Sequence, residues 1–119
     1  MTQNEKELLL KDLCARLPYG IKIEYNGDVR DLIGITLGRV SISKTFYDKD
    51  VEDIKPYLLP LSSMTEAQKR DYQYITERWM NDPTYTIGDS FDWLNKNHFD
   101  YRGLIEKGLA IDATELNIY

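Results

Sequence analysis

His98, the only histidine of the chain, stands in FDWLNKNHFDYRGLIEKGLA, residues 91–110, with Asp92, Asp100, Tyr101 and Arg102 around it. A histidine among carboxylates can act as a general base. Asp92 or Asp100 would then orient its ring, and Arg102 would clamp an anion. Spacing weakens that chemistry. Residues six apart on a helix point in widely separated directions, so Asp92 and His98 meet only if the chain kinks sharply between them. The sequence contains no GxSxG elbow, and Cys14, lying among leucines, reads as a small buried hydrophobe rather than a nucleophile. One histidine without an HExxH or CxxC pattern gives no zinc site, and no glycine-rich phosphate loop is present, so neither metal nor cofactor is expected.

The same residues have folding duties to perform. Asp89 or Ser90 can cap a short helix running through about Asn97, with Asp92 in its first turn and an ion pair available from Asp92 to Lys96. Asp100 can cap a second short helix over Tyr101 to Lys107, closed by Gly108 in the left-handed region. His98 falls at the junction, where a ring nitrogen can bond the last carbonyls of the first helix while Phe99 drops into the core. This structural reading of His98 is preferred over catalysis.

The elements that must position this stretch are legible upstream. Thr2 and Glu5 have capping-box spacing and open a helix over residues 2–17, with Leu9, Leu10, Leu13, Cys14 and Leu17 on one stripe and Lys6, Glu7, Lys11 and Asp12 facing away. Pro18 stops it. IKIEY, residues 21–25, alternates apolar and polar, and Asn26-Gly27 accepts the positive φ angles of a tight hairpin. Residues 29–37 return, and RVSISKTFY adds a third run, so a three-stranded antiparallel meander is predicted. Gly34 marks a bulge or a close packing contact in its second strand. DKDVED, residues 48–53, is the sharpest acidic cluster. As an EF-hand loop it fails at the sixth position, Asp53, and the twelfth, Leu59, and it reads as a solvated loop at the sheet edge. Pro56 and Pro60 bracket Tyr57, Leu58 and Leu59 and predict an extended crossing rather than a helix. Thr65 and Gln68 open another helix through about Met80, with Gln68, Tyr72, Ile75 and Trp79 on one face, ended by Asn81, Asp82 and Pro83.

The fold class predicted is therefore α+β: an N-terminal helix, a small meander, then two or three C-terminal helices, in a single domain spanning 1–119. A chain of 119 residues buries about two thirds of its unfolded surface and needs no staple. The net charge of −5 opposes generic binding to a phosphate backbone. No segment approaches the ~18 apolar residues of a membrane span and no leader is evident, so no membrane association and a cytoplasmic, reducing location are expected.

The segments KPYLLPLSSMT, FDWLNKNHFDYRGLIEKGLA and LLLKDLCARLPYGIKIEY resemble a family of small uncharacterised proteins from gut anaerobic bacteria and their phages or prophages. The resemblance implies a cytoplasmic bacterial or phage accessory protein and transfers no catalytic or binding residue.

Nine tyrosines against three phenylalanines and two tryptophans supply rings with an apolar face and a polar tip. They suggest a non-enzymatic module that binds a protein partner through Tyr57, Tyr74, Tyr85 and Trp93. Exposed rings could also join two copies of the chain into a homodimer. A second reading is a nucleic-acid surface on the sheet, with Tyr25, Phe46 and Tyr47 stacking and Arg30, Arg39 and Lys44 on phosphates. A third is a small enzyme centred on His98 and Arg102.

Overall fold

The structure, a computed structural model, describes residues 1–84 and 86–119, with the side chain of Trp79 left outside the description. Helix α1, Gln3–Arg16, opens on the expected capping box: Thr2 Oγ1 accepts from the Glu5 amide at 3.1 Å, and Glu5 Oε1 accepts from the Thr2 amide at 3.0 Å. A single 3₁₀ turn over Leu17–Tyr19, with Pro18 inside it, ends the helical run. Strands β1, Lys22–Tyr25, and β2, Asp28–Thr36, form the predicted hairpin. Asn26 and Gly27 both hold positive φ angles, of 50° and 83°. Strand β3, Arg39–Ile42, pairs antiparallel with β2, and the register shifts between Leu32 and Gly34. Gly34 therefore marks a bulge. A Cβ there would meet Ser41 at an ordinary 4.0 Å, so close packing is not its purpose.

The sheet grows beyond the meander. Strand β4, Lys49–Asp50, covers β3, and the acidic cluster continues as a 3₁₀ turn, Val51–Asp53, capped by the Asp50 side chain. It is more than a solvated loop, because Val51 and Ile54 are buried and anchor it to the core. The expected crossing is strand β5, Lys55–Pro60. Its prolines lack donors, but Leu59 N–H donates to the His98 carbonyl at 2.8 Å and the Leu58 carbonyl accepts from Ala113 N–H at 2.9 Å. Two helices follow, α2 at Glu66–Asn81 and α3 at Ile87–Lys96. They form the crossover that lets β6, Phe99–Asp100, and β7, Ile111–Asp112, lie parallel to β5. The mixed seven-stranded sheet has the order β4-β3-β2-β1-β5-β6, with β7 also on β5. The fold is thus α+β, with one helix before the sheet and two inserted within it.

Three expectations are corrected. Residues 101–108 form turns instead of a second short helix. Both oxygens of Asp100 are taken by the Leu104 and Ile105 amides at 2.9 Å, and Gly103 joins Gly108 in the left-handed region, which no continuing helix allows. Asp12 does not face away from the core: it is 0% exposed. The buried face of α1 runs Leu9, Asp12, Leu13, Arg16, a stripe at helical spacing in which a carboxylate and a guanidinium replace leucines. Rotating the stripe in this way turns Cys14 outward, so its thiol is exposed, not buried.

Leu9 and Leu13 pack on Ile21, Ile23, Leu32, Val40 and Ile42 of the sheet, with Ile54, Leu58, Leu104 and Leu109 closing the core. Helix α2 buries far less: Gln68, Tyr72 and Ile75 lie half-buried on one face, as the sequence predicts, and the helix rests mainly on α3. Trp79, expected on that face, has a side chain outside the described residues. No helix among the described residues is long and apolar enough to cross a membrane.

Candidate functional site

The residues read as a catalytic group go to separate duties. Helix α3 begins earlier than expected. Thr86, not Asp89 or Ser90, is its cap, and Asp89 is the reciprocal partner, accepting from the Thr86 amide at 2.6 Å. Asp92 consequently sits in the second turn, exposed, and makes no ion pair with Lys96 among the described residues. His98 ends α3 with its backbone, not with its ring: φ is 66°, and its N–H reaches the Asn95 carbonyl at 3.2 Å. A β-carbon in that region carries strain that only glycine escapes and that asparagine offsets by local hydrogen bonding, so the surrounding structure must hold His98 in place.

That surrounding is Tyr119. The two rings stack with centroids 3.6 Å apart and planes 14° from parallel. The Tyr119 hydroxyl accepts from the Lys22 amide at 3.0 Å and donates to the Tyr57 carbonyl at 2.7 Å, so it fills the place where β1 and β5 diverge. Burial, reinforced by the positive charge of Arg16, lowers the His98 pKa to about 4, and His98 Nδ1 is buried with no hydrogen-bond partner among the described residues. A ring that stays neutral well below pH 6.5 keeps a free lone pair but is poorly placed to give up a proton at neutral pH.

Arg102 belongs to a different assembly. Its Nη1 donates to Asp12 Oδ1 at 2.7 Å, while Arg16 Nε donates to Asp12 Oδ2 at 2.8 Å and Arg16 Nη2 to the Phe99 carbonyl at 2.7 Å. Both guanidinium groups lie against the Tyr101 ring, 5.4 Å from Arg16 and 4.6 Å from Arg102 to its centroid. The Tyr101 hydroxyl donates to Asn95 Oδ1 at 2.9 Å. An Arg–Asp–Arg triad thereby fastens α1 to the 98–105 segment. Sequence reading missed it. The signal was the i, i+4 spacing of Asp12 and Arg16 on the leucine face, and nothing local marks Arg102 as the third member.

The four proposed aromatic anchors also separate. Tyr57 is 6% exposed: Pro56, Tyr57 and Leu58 are buried in succession, so β5 is covered on both of its faces and the ring is not available as an anchor. Trp93 is half-buried, packed between Tyr72 at 5.5 Å and Phe99 at 5.7 Å. Tyr74 stays exposed on α2, with its hydroxyl accepting from Arg78 at 2.6 Å. Tyr85 lies outside the described residues.

The residues considered for nucleic acid divide differently. Arg30 Nη1 donates to the Ser43 and Lys44 carbonyls at 3.0 and 3.2 Å, and Arg39 donates to the Asp48 carbonyl at 3.0 Å. Both arginines thus pin the loop between β3 and β4. Tyr25 packs against the core under the Lys49 ammonium, and Lys44 is exposed. The loop they hold presents Phe46, fully exposed, and Tyr47, 81% exposed. Ile33 at 62% on β2 and Leu37 at 97% in the β2–β3 turn are further exposed apolar residues, on the preceding hairpin.

Among the described residues, no cluster of histidine, cysteine, aspartate and glutamate side chains is arranged to hold a metal ion. A concavity of about 610 Å³ between Pro60, Ser62 and Asp112–Leu116 is open and polar, and Asp112 there is already accepting from Thr114. Comparisons with protein-family models, with curated proteins and with solved structures found no match to this chain.

Proposed function

We propose that this protein is a non-enzymatic interaction module that engages a protein partner through the β3–β4 loop. The observation that carries the reading is the state of Phe46 and Tyr47: two adjacent aromatic side chains in solvent on a backbone that is not free to collapse. Arg30, Arg39 and the Thr45 hydroxyl, which donates to the Ile42 carbonyl at 3.0 Å, fix that loop from below. Exposed aromatic side chains on a fixed loop lose little conformational entropy on binding and bury a large apolar area, which is why such residues dominate interface energies. The two arginines that would serve a phosphate backbone are committed to carbonyl oxygens, which favours a protein over a nucleic acid. The chemically capable groups, His98, Asp100, Arg102 and Asp12, are all engaged in holding elements together.

The test is affinity purification of tagged wild-type and F46A/Y47A protein from the native host, with and without nuclease. A partner that survives nuclease and is lost with the double variant supports the reading. An identical set of partners from both proteins, or recovery only without nuclease, removes it.

A further inference from the structure

A second surface has a more specific chemistry. Between α2 and α3, beside the turn that follows α1, lies a cleft of about 350 Å³ lined by Tyr19, Ile75, Asp89, Asp92, Trp93 and Lys96. Its walls are apolar and aromatic. Trp93 is held in orientation by Tyr72 and Phe99, Tyr19 is 39% exposed, and Ile75 is half-buried. The rim carries two carboxylates. One oxygen of Asp89 is taken by the Thr86 amide, while Asp92 makes no hydrogen bond or ion pair among the described residues.

An apolar wall with a carboxylate rim suits a cation carried on an apolar stem. Aromatic faces attract such a cation by about 0.5–2 kcal/mol, according to how dry the site is. A planar guanidinium can meet a carboxylate edge-on and stack on a ring at the same time, which an ammonium cannot. An anionic ligand would meet two like charges. A bare metal ion would find too few oxygens, since calcium takes six or more. Lys96 is a competitor built into the rim. It makes no ion pair with Asp92 among the described residues, and even a surface pair formed in solution amounts to only about 0.2–1 kcal/mol, so it competes weakly.

We propose that this cleft receives an arginine side chain presented by a partner polypeptide, with Asp92 as its ionic partner, Tyr19 as its stacking surface and Trp93 and Ile75 as the apolar wall along its stem. The proposal rests on the interaction-module reading and names the chemistry of one contact.

The experiment titrates ¹⁵N-labelled protein with a short capped peptide containing one central arginine flanked by leucines, and with the same peptide carrying citrulline or glutamate instead. The Trp93 indole N–H resonance, assigned with the W79F variant, reports the cleft. Expected are a saturable shift with the arginine peptide, none with the glutamate peptide, and affinity about fivefold weaker for D92N and at raised salt. Equal shifts for all three peptides, insensitivity to D92N, or no shift at millimolar peptide would overturn the cleft assignment. Shifts confined to Phe46 and Tyr47 would also overturn it while sustaining the module reading. The F46A/Y47A purification fails or succeeds independently of this titration.

Discussion

The triad under α1 and the loop between β3 and β4 use their residues in opposite ways. Asp12, Arg16 and Arg102 are the kinds of side chain that perform chemistry, yet each is buried or nearly so and bonded to another part of the fold. Phe46 and Tyr47 are the kinds of side chain that build cores, yet both stand in water. Residue type alone thus misdirects a search for function. The more useful sign is a residue whose type and surroundings disagree. In the triad the disagreement is largely resolved internally, because both guanidinium groups bond the Asp12 carboxylate, although Arg16 Nη1 is buried without a hydrogen-bond partner among the described residues. On the loop it is resolved by nothing among the described residues.

The contrast can be broken most severely at Asp12. D12A would leave two guanidinium groups without their carboxylate in a buried site, and breaking one partner of such a pair costs about 3–5 kcal/mol. Chemical denaturation should show that loss. A change under 1 kcal/mol would mean that water already reaches the triad.

Acid acts on the neighbouring His98. The unfolded ring takes a proton near pH 6.5 and the folded ring only near 4, so the unfolded chain binds more protons between these values. Stability is therefore complete above pH 6.5 and falls as the pH drops toward 4, by about 1–2 kcal/mol once its partial exposure is discounted. Melting of wild type and H98A across this window checks the assignment. The variant should be less stable at pH 7 and should lose that part of the pH slope.

Removing the Tyr119 hydroxyl with Y119F tests the join between β1 and β5. It leaves the Lys22 amide and the Tyr57 carbonyl without this partner and should cost about 1 kcal/mol by denaturant melting. The smallest effect sharpens the comparison. F46A/Y47A should alter stability by less than about 0.5 kcal/mol, because the rings touch too little to support the fold. A loss of 2 kcal/mol would show that they pack in solution and would remove them as a contact surface.

Much of the fold was legible wherever the signal was local. The capping boxes at Thr2 and Thr65, the Asn26-Gly27 hairpin, the Gly34 bulge and the left-handed Gly108 each depend on interactions within a few residues. The helical face of Gln68, Tyr72 and Ile75 was legible for the same reason. Asp12 and Cys14 were misassigned because an average helical stripe treats charge as outward. A buried charge becomes acceptable only when a partner arrives from elsewhere, and Arg102 is 90 residues away. Tyr57 was misjudged because its face is chosen by the strands around β5, and its parallel neighbours return only after two helices.

By itself, the sequence determined the α+β class, the first helix, the hairpin and the positions where the chain turns, since backbone conformational preference and hydrophobic period act over a few residues. Tertiary structure alone decided which charges are buried, that His98 stacks on Tyr119 rather than bonding a helix end, and that Phe46 and Tyr47 remain uncovered. The physical reason is that burial is a property of distant segments meeting. The cost of desolvating Asp12, like the exposure of Phe46, depends on what the rest of the chain places beside it.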